Sequence, residues 1–294
     1  MIKKELRIMT ITPDQIPAQS QDRTPALESE MTPRPEYDDP HYKGSDKLRD
    51  KVALITGGDS GIGRSVAVYF AKEGANVAIC YLDEHEDAKE TQKAVEEYEC
   101  ECLLIPGDIR SEKFCQEAVQ QTLNKFGKLD ILVNNAAVQY LEPSLEEIDS
   151  AQLGDTFATN IFSMFYLTKV AVPHLKPGSS IINTTSINAY KGNSKLLSYS
   201  TTKGAILAFT RSVAEPLLEK GIRVNGVAPG PIWTPFIPDA FEGEAVSNFG
   251  KQVPMQRPGQ PKEIAPSFVF LASEDASYMA GQVLHPNGGV VIGA

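Results

Sequence analysis

Cysteine is scarce in this sequence, and long runs of positive charge are absent. Four cysteines occur in 294 residues, at spacings that fit neither a paired zinc site nor a dense disulfide framework. Lys and Arg total 28 against 38 for Asp and Glu, which gives a formal net charge of -10. An acidic chain without a basic cluster is unsuited to nucleic acid or an anionic membrane. We therefore expect no metal, no nucleic-acid partner and small buried thiols at Cys80, Cys100, Cys102 and Cys115.

Long hydrophobic runs are missing as well. No segment approaches the roughly 18 uninterrupted apolar residues of a membrane-spanning helix. The N-terminus, "MIKKELRIMTITPDQIP", starts basic but has neither an apolar block of signal-peptide length nor a small-residue cleavage pattern. The composition, 41% hydrophobic and 22% charged, is that of a globular protein. We expect a cytoplasmic protein with no membrane partner.

The first 47 residues form a segment of their own. From about residue 10 to 45 the chain is rich in Pro, Gln, Asp, Glu and Ser and has no helical or strand period. Such a segment buries too little apolar surface to offset its ordering entropy, which favours a disordered tail. The alternative is an extended arm that docks on the body or on a neighbouring subunit through Tyr37, Tyr42 and the prolines. Both interpretations stay open.

From residue 48 onward, short apolar runs alternate with helical patterns. "VALIT" at 52–56 is followed by glycines and by an amphipathic pattern that ends near Gly74. About seven such runs recur before the end of the chain. Alternation of this kind predicts βαβ units and a parallel sheet covered on both faces. We expect one doubly wound α/β domain of the Rossmann type over residues 48–294.

Two segments depart from this alternation. Residues 156–175 are apolar on nearly every side of a helix, which is more than packing on one sheet face requires and indicates a subunit interface. Residues 229–258 lack a clear period and include Trp233 and Phe236. A long irregular insertion in a compact domain is typical of a functional lid, so we expect a substrate lid at about 229–258.

A glycine-rich loop follows the first predicted strand. Gly57, Gly61 and Gly63 in "TGGDSGIGRS" have the spacing G-x-x-x-G-x-G. Glycines allow a tight turn and close approach of the backbone to a pyrophosphate at a helix N-terminus, where free N–H groups favour negative charge. Between a strand and an amphipathic helix, this loop predicts dinucleotide binding.

The end of the second predicted strand bears on the choice of dinucleotide. Tyr81 stands about 20 residues past Gly61, where an acidic residue would hold the adenosine ribose, and Asp83 follows two places on. The first basic residue after them is Lys89, and the acids between would repel a 2'-phosphate. The cofactor is NAD or NADP, and this pattern favours NAD.

Tyr199 and Lys203 lie four residues apart, just ahead of a helical run, so both side chains share one helix face. Alone, the pair favours an ordinary solvated helix face over a catalytic site, because a Tyr and a Lys at this spacing occur on many such faces. A phenol has a pKa near 10, and a neighbouring ammonium would favour its ionised form.

Together these motifs resemble the short-chain dehydrogenase/reductase family over nearly all of residues 48–294. "TGGDSGIG", "GDI" at 107–109, "NNAA" at 134–137 and "APGPIWT" at 228–234 are similar to its cofactor-binding motifs. The proline-rich leader and the "VPMQRPGQP" stretch look like a bacterial subgroup often named general stress proteins or uncharacterised oxidoreductases.

The resemblance implies a role for several side chains. Tyr199 is then the general acid/base, and Lys203 lowers its pKa and holds the nicotinamide ribose. Ser186 orients the substrate oxygen, and Asn160 anchors a water that links Lys203 to solvent. Asp108 receives the adenine amino group. The implied cofactor contacts are Gly57, Asp59, Ser60, Gly61, Ile62, Gly63, Tyr81, Leu82, Asp83, Asp108, Ile109, Asn135, Ala136, Ala137, Tyr199, Lys203, Pro229, Gly230, Ile232 and Thr234.

The implied function is an NAD(P)(H)-dependent oxidoreductase that acts on a small carbonyl or alcohol substrate, assembled as a homotetramer. One alternative is a catalytically silent dinucleotide-binding sensor or scaffold. Another is an epimerase or dehydratase that uses the nicotinamide transiently, although the roughly 35 residues after Pro258 leave little room for the larger C-terminal domain of such enzymes.

Overall fold

A single parallel sheet of seven strands forms the centre of the protein, in a computed structural model that describes residues 16–292. The strand order is β3-β2-β1-β4-β5-β6-β7, and every paired neighbour is parallel. This confirms the predicted doubly wound α/β fold. The strands are β1 (Val52–Thr56), β2 (Asn76–Tyr81), β3 (Cys102–Pro106), β4 (Ile131–Asn134), β5 (Ser180–Thr184), β6 (Arg223–Val227) and β7 (Val283–Leu284).

The centre of the sheet positions the site. β1 pairs with β2 on one side and with β4 on the other, in the register Leu54 to Leu132. The chain therefore winds outward in one direction from β1 to β3 and in the other from β4 to β7. At such a reversal the connections leave in opposite directions, which opens a crevice beyond the carboxyl ends of the strands.

Helices cover both faces of the sheet. α1 and α10 pack on one face together with α2, whereas α3, α5 and α7 pack on the other. β1, β4 and β5 are buried along their whole length, as expected for strands covered on both sides. The helices are α1 (Gly61–Lys72), α2 (His85–Glu96), α3 (Glu112–Phe126), α4 (Ser150–Phe157), α5 (Ser163–Ala171), α6 (Asn188–Lys191), α7 (Leu197–Leu218), α8 (Phe236–Ala240), α9 (Glu244–Ser247) and α10 (Pro261–Ala272).

The apolar segment at 156–175 is not one regular helix. A single π-helical turn, Ala158–Phe162, joins α4 to α5. Such turns insert an extra residue into the hydrogen-bond ladder and occur often at functional sites. Phe162 and Phe165 remain exposed on this segment, and the subunit interface predicted there stays a prediction.

Residues 16–47 lie against the body as an extended segment with one short 3-10 turn, Glu28–Glu30. Ile16 and Met31 are buried in a cluster with Trp233, and Tyr37 and Tyr42 pack against the core beside α1. We call residues 16–47 the arm. The first 15 residues, which belong to the same predicted segment, lie outside the described residues.

All four cysteines are buried and have free thiols. Across residues 16–292, no helix is both long enough and apolar enough to cross a membrane.

Candidate functional site

A cavity of about 570 Å³ opens at the carboxyl ends of the strands. Its lining comes from the segments that follow β1, β2, β3, β4, β5 and β6, so it occupies the crevice created by the strand reversal. This volume is within the usual range of ligand and cofactor sites. We call it the cleft.

The glycine-rich loop forms one wall of the cleft. Gly57 and Gly61 have φ values of +62 and +50, which disfavour any residue with a side chain. A Cβ at Gly63 would lie 1.8 Å from the carbonyl oxygen of Gly57, so α1 packs directly on the loop. Ser60 makes no side-chain cap to the first turn of α1. The loop thus presents a helix N-terminus to the cleft, where the N–H of Gly61 already donates to Glu28 of the arm and the other N–H groups of the first turn fit a pyrophosphate.

The end of β2 carries a buried acid that the sequence motif did not single out. Glu84 lines the cleft, whereas Asp83 does not. The Glu84 Oε2 accepts hydrogen bonds of 3.1 Å from the backbone N–H groups of Leu82 and Asp83, and its Oε1 has no partner among residues 16–292. Burial raises the pKa of Glu84. The only sequence signal was the acidic run that begins at Asp83, which does not show which acid turns inward.

A second buried carboxyl lies in the glycine loop. Burial, and then the charge of Glu84, raise the pKa of Asp59 to about 7. The two buried carboxyls, those of Asp59 and Glu84, therefore make this half of the cleft acidic. The Tyr81 hydroxyl lies 3.2 Å from His85 Nδ1 and is turned toward α2.

The turn after β3 is held by an ion-pair network. Arg110 hydrogen-bonds to Asp108 and reaches Asp155 of α4, which also accepts a 2.6 Å hydrogen bond from the Tyr140 hydroxyl. The Arg110 guanidinium lowers the pKa of Asp108. Asp108 and Ile109 line the cleft as expected, and Arg110 lines it too although no motif indicated it.

Asn135 ties three strand ends together at the floor of the cleft. Its Nδ2 donates to the carbonyl oxygens of Thr56 and Gly57 at 3.1 and 3.3 Å. Its Oδ1 accepts from the Thr184 hydroxyl at 3.3 Å. The contacts among the protein's own groups are therefore those of a backbone brace, placed beside Ala136 and Ala137 in the lining.

Tyr199, Lys203 and Ser186 meet at the other end of the cleft. Tyr199 and Lys203 lie in the first two turns of α7, and the Lys203 Nζ is 5.4 Å from the centre of the Tyr199 ring. The same ammonium donates a 2.9 Å hydrogen bond to the carbonyl oxygen of Thr184 at the end of β5. The Ser186 hydroxyl accepts a 3.1 Å hydrogen bond from the N–H of Asn188. The pair is therefore not part of a solvated helix face, since Lys203 is almost fully buried.

Burial dominates the ionisation of this cluster. It raises the pKa of Tyr199 to about 12, against the opposing hydrogen bond with Ser186. It lowers the pKa of Lys203 to about 7. From the protein's own groups alone, the pKa of Tyr199 thus moves upward, opposite to the expected effect of Lys203, because removal from water disfavours both charged forms.

Asn160 lies in the π-helical turn and does not line the cleft. Its Oδ1 accepts a 2.8 Å hydrogen bond from the N–H of Val138, and its Nδ2 donates at 3.0 Å to the carbonyl oxygen of Val138 and to the Thr202 hydroxyl. The side chain therefore braces the segment after β4 against α7.

Most of the predicted site residues do meet in the cleft. Gly63, Asp83 and Asn160 are the exceptions, since they lie beside it without lining it. The predicted residues in the lining are Gly57, Asp59, Ser60, Gly61, Ile62, Tyr81, Leu82, Asp108, Ile109, Asn135, Ala136, Ala137, Ser186, Tyr199, Lys203, Pro229, Gly230, Ile232 and Thr234.

Two outer walls complete the cleft. One comes from the 229–258 segment and includes Phe236 and Phe249. The other comes from the arm, whose residues Thr24, Pro25 and Ala26 line the same cavity as the glycine loop and the end of β2. A docked arm was one of the two interpretations that the sequence left open, but no period or motif indicated that residues 24–26 would line the cleft.

The chain is similar to known oxidoreductases over most of its length. A family model described as enoyl-(acyl carrier protein) reductase matches residues 57–291. General stress protein 39 of Bacillus subtilis (strain 168) is 60% identical over 277 residues, which are 94% of this chain and 97% of that protein. Glucose and ribitol dehydrogenase of Daucus carota is 54% identical over 95% of this chain and 98% of that protein. A short-chain dehydrogenase from Burkholderia cenocepacia J2315, solved in complex with NADP, superposes with a TM-score of 0.78 at 29% identity and covers 83% of this chain and 98% of that one.

Proposed function

Because the chain belongs to the short-chain dehydrogenase/reductase family and is an NAD(P)-dependent enzyme of that family, we propose that it transfers a hydride between nicotinamide and a small carbonyl or alcohol. One observation carries this proposal. The glycine cradle at one end of the cleft and the Tyr199, Lys203 and Ser186 cluster at the other share a single cavity.

The backbone of the glycine loop would hold the pyrophosphate, and Asp108 and Asn135 would flank the adenosine. The bound nicotinamide supplies or accepts the hydride. The protein's own groups then have three tasks, which are to hold the reacting oxygen, to exchange its proton and to exclude water.

Tyr199 is the proton-exchanging group of this proposal. Its hydroxyl would give a proton to the carbonyl oxygen in reduction and take one from the alcohol in oxidation. Ser186 would hold the same oxygen as charge develops on it. Lys203 would favour the phenolate when protonated and would bind the nicotinamide ribose, while Asn160 would anchor the water that connects Lys203 to solvent.

For the cofactor we propose that NAD binds at least as well as NADP. The carboxyls of Glu84 and Asp59 are buried at the adenosine end, where a 2'-phosphate would add negative charge. The nearest arginine of the arm, Arg23, is already paired with Asp83. A tenfold tighter binding of NADP in direct titration would contradict this choice.

The substrate is proposed only by class. The centres of the Phe236 and Tyr199 rings are 5.8 Å apart. Asn188 and Asn193 add polar groups to the lining of the cleft. These surroundings suit small aldehydes, ketones, secondary alcohols or sugars, and the name of the Daucus carota relative supports including polyols. The four free buried thiols support our proposal of a cytoplasmic location.

A panel of carbonyls and alcohols assayed with NAD(H) and NADP(H) tests the proposal. We expect turnover of at least one class, with consumption of the dinucleotide in proportion to product. Tight dinucleotide binding without any turnover would instead support the sensor or scaffold. Turnover without net change in the dinucleotide would support the epimerase or dehydratase.

A further inference from the structure

The arm crosses the mouth of the cleft between two of its walls. The N–H of Gln21 donates a 3.0 Å hydrogen bond to the carbonyl oxygen of Pro238 in α8. The Thr24 hydroxyl donates at 2.5 Å to the carboxylate of Asp239 in the same helix. Arg23, between them, forms an ion pair with Asp83 just past β2. Residues 21–24 therefore bridge the 229–258 segment and the end of β2.

Three consecutive residues of the arm, Thr24 to Ala26, form part of the cleft itself. Thr24, Pro25 and Ala26 line it together with Tyr81 and Leu82. In a doubly wound sheet the end of β2 lies beside the adenosine ribose of a bound dinucleotide. Together with the Arg23–Asp83 ion pair, this shared lining places the arm wall on the adenosine side of the cleft.

Buried contacts fix the arm to the cofactor-binding helix. Glu28 is fully buried, and its two carboxylate oxygens accept 2.6 Å hydrogen bonds from Arg64 Nη1 and from the N–H of Gly61. The N–H of Glu28 donates at 2.7 Å to Asp87 of α2. Through Gly61 and Arg64, the arm contacts the glycine loop and α1 directly.

The position of the arm can be observed through the chain's single tryptophan. Trp233 is fully buried, and its Nε1 donates a 2.8 Å hydrogen bond to the carbonyl oxygen of Pro33. Met31 and Ile16 of the arm pack in the same cluster. Release of the arm would expose the indole to water.

We propose that arm residues Thr24–Ala26 are part of the dinucleotide site, where they form the outer wall over the adenosine half. The inference rests on the proposed function, because it requires a dinucleotide in the cleft. A ligand that contacts this wall stabilises the docked arm, and by reciprocity the docked arm strengthens binding of the ligand. The relevant ligand chemistry is an adenosine diphosphate moiety, since the nicotinamide half lies at the far end.

The first test compares two variants that each weaken the contacts between the arm and the body. Arg23→Ala/Thr24→Ala removes the two side-chain tethers of the wall, while Arg34→Ala removes the arm's ion pair with Glu90, which does not line the cleft. Both sets of contacts are partly exposed, so neither variant should unfold the protein. Dissociation constants are measured by titration calorimetry with NADH, ADP-ribose and nicotinamide mononucleotide.

We expect Arg23→Ala/Thr24→Ala to bind NADH and ADP-ribose about fivefold more weakly, since one partly exposed ion pair and one hydrogen bond are lost. Its binding of nicotinamide mononucleotide should not change, and Arg34→Ala should bind all three ligands like the wild type. Unchanged binding of ADP-ribose by the double variant would overturn the inference. An equal loss in Arg34→Ala would also overturn it, because the effect would then come from general docking.

The second test uses the wild-type protein and needs no turnover. Limited trypsin digestion is followed by mass spectrometry at the bond after Arg23, and Trp233 emission is recorded in parallel. ADP-ribose should slow this cleavage and leave the emission that of a buried indole, whereas nicotinamide mononucleotide should not slow it. Equal cleavage with and without ADP-ribose, at concentrations that saturate the protein, would contradict the wall. Failure of the wild type to bind either NADH or NADPH would contradict the proposed function, and this inference with it.

Discussion

Tyr199 is the residue on which the proposed chemistry depends most directly. Tyr199→Phe keeps the ring and its packing near Phe236 but removes the hydroxyl that hydrogen-bonds with Ser186. General acid/base catalysis is worth roughly 10² to 10⁴ in rate, so turnover should fall by about that factor. The dissociation constant for the cofactor and the melting temperature should stay nearly unchanged. Steady-state kinetics with any accepted substrate, beside cofactor titration, check this; near-normal turnover would show that another group exchanges the proton.

Because Lys203 is buried, its ionisation makes the stability of the protein depend on pH. Burial lowers its pKa from the ordinary value of 10.5 to about 7. Between these values the unfolded chain binds more protons than the folded one, so this group's contribution to stability rises with pH. Below about pH 7 the full desolvation penalty is present, and it disappears as the pH approaches 10.5.

Lys203→Met removes this penalty together with the charge. The melting temperature of the variant should exceed that of the wild type by the largest margin at and below pH 7, and this margin should shrink as the pH rises toward 10.5. Turnover and cofactor affinity should both fall, and residual alcohol oxidation should require higher pH because nothing favours the phenolate. Thermal melts of both proteins across this pH range test the linkage. A difference independent of pH would mean that Lys203 is not desolvated in the folded protein.

At the scale of elements, the sequence was informative wherever a repeating pattern existed. The run "VALIT" coincides with β1, and the glycine past the amphipathic pattern, Gly74, has a φ of +88 just after α1. Side-chain direction in irregular segments was harder to predict. Asp83 and Glu84 differ by one position, yet one pairs with Arg23 and the other lies buried in the cleft.

The docking of the arm was also hard to predict from the sequence. Its composition is that of a disordered tail, because few of its residues are apolar. Its docking depends instead on a few specific partners, chiefly Glu28 with Arg64 and Pro33 with Trp233. Such contacts between distant parts of the chain leave no periodic signal in either segment.

Glu28 allows the contribution of the arm to stability to be measured. Glu28→Gln leaves Arg64 in a buried site without its closest counter-charge, which should cost about 2 kcal/mol. For a chain of this size that corresponds to a fall in melting temperature of about 4 to 8 °C. Glu30→Gln, an exposed position in the same turn, is the matched control and should melt like the wild type. Equal melting temperatures for both variants and the wild type would show that the buried pair contributes nothing to stability.

The whole molecule has an apolar surface that the monomer does not cover. Phe162 and Phe165 are about half exposed beside the small cluster formed by Ile161, Met164, Ile206 and Phe209. Further along the chain, Tyr278 and Val291 are almost completely exposed. Large apolar side chains grouped in this way mark interaction surfaces more often than single exposed ones do. Two separate self-complementary contacts, one around α5 and one around Tyr278, can generate a tetramer of two-fold symmetry.

We therefore predict a homotetramer at micromolar concentration, measured by multi-angle light scattering. Phe162→Glu places a charge in the centre of the proposed contact around α5, and burying an unpaired carboxylate there is strongly unfavourable, so the variant should elute as a smaller species. Leu145→Glu is the matched control, because Leu145 is 70% exposed outside the helices and strands, and this variant should remain tetrameric. A monomeric wild type would refute the assembly. A tetramer that survives Phe162→Glu would place the interface on another face of the molecule, since a carboxylate at a packed apolar contact has no partner to offset its desolvation.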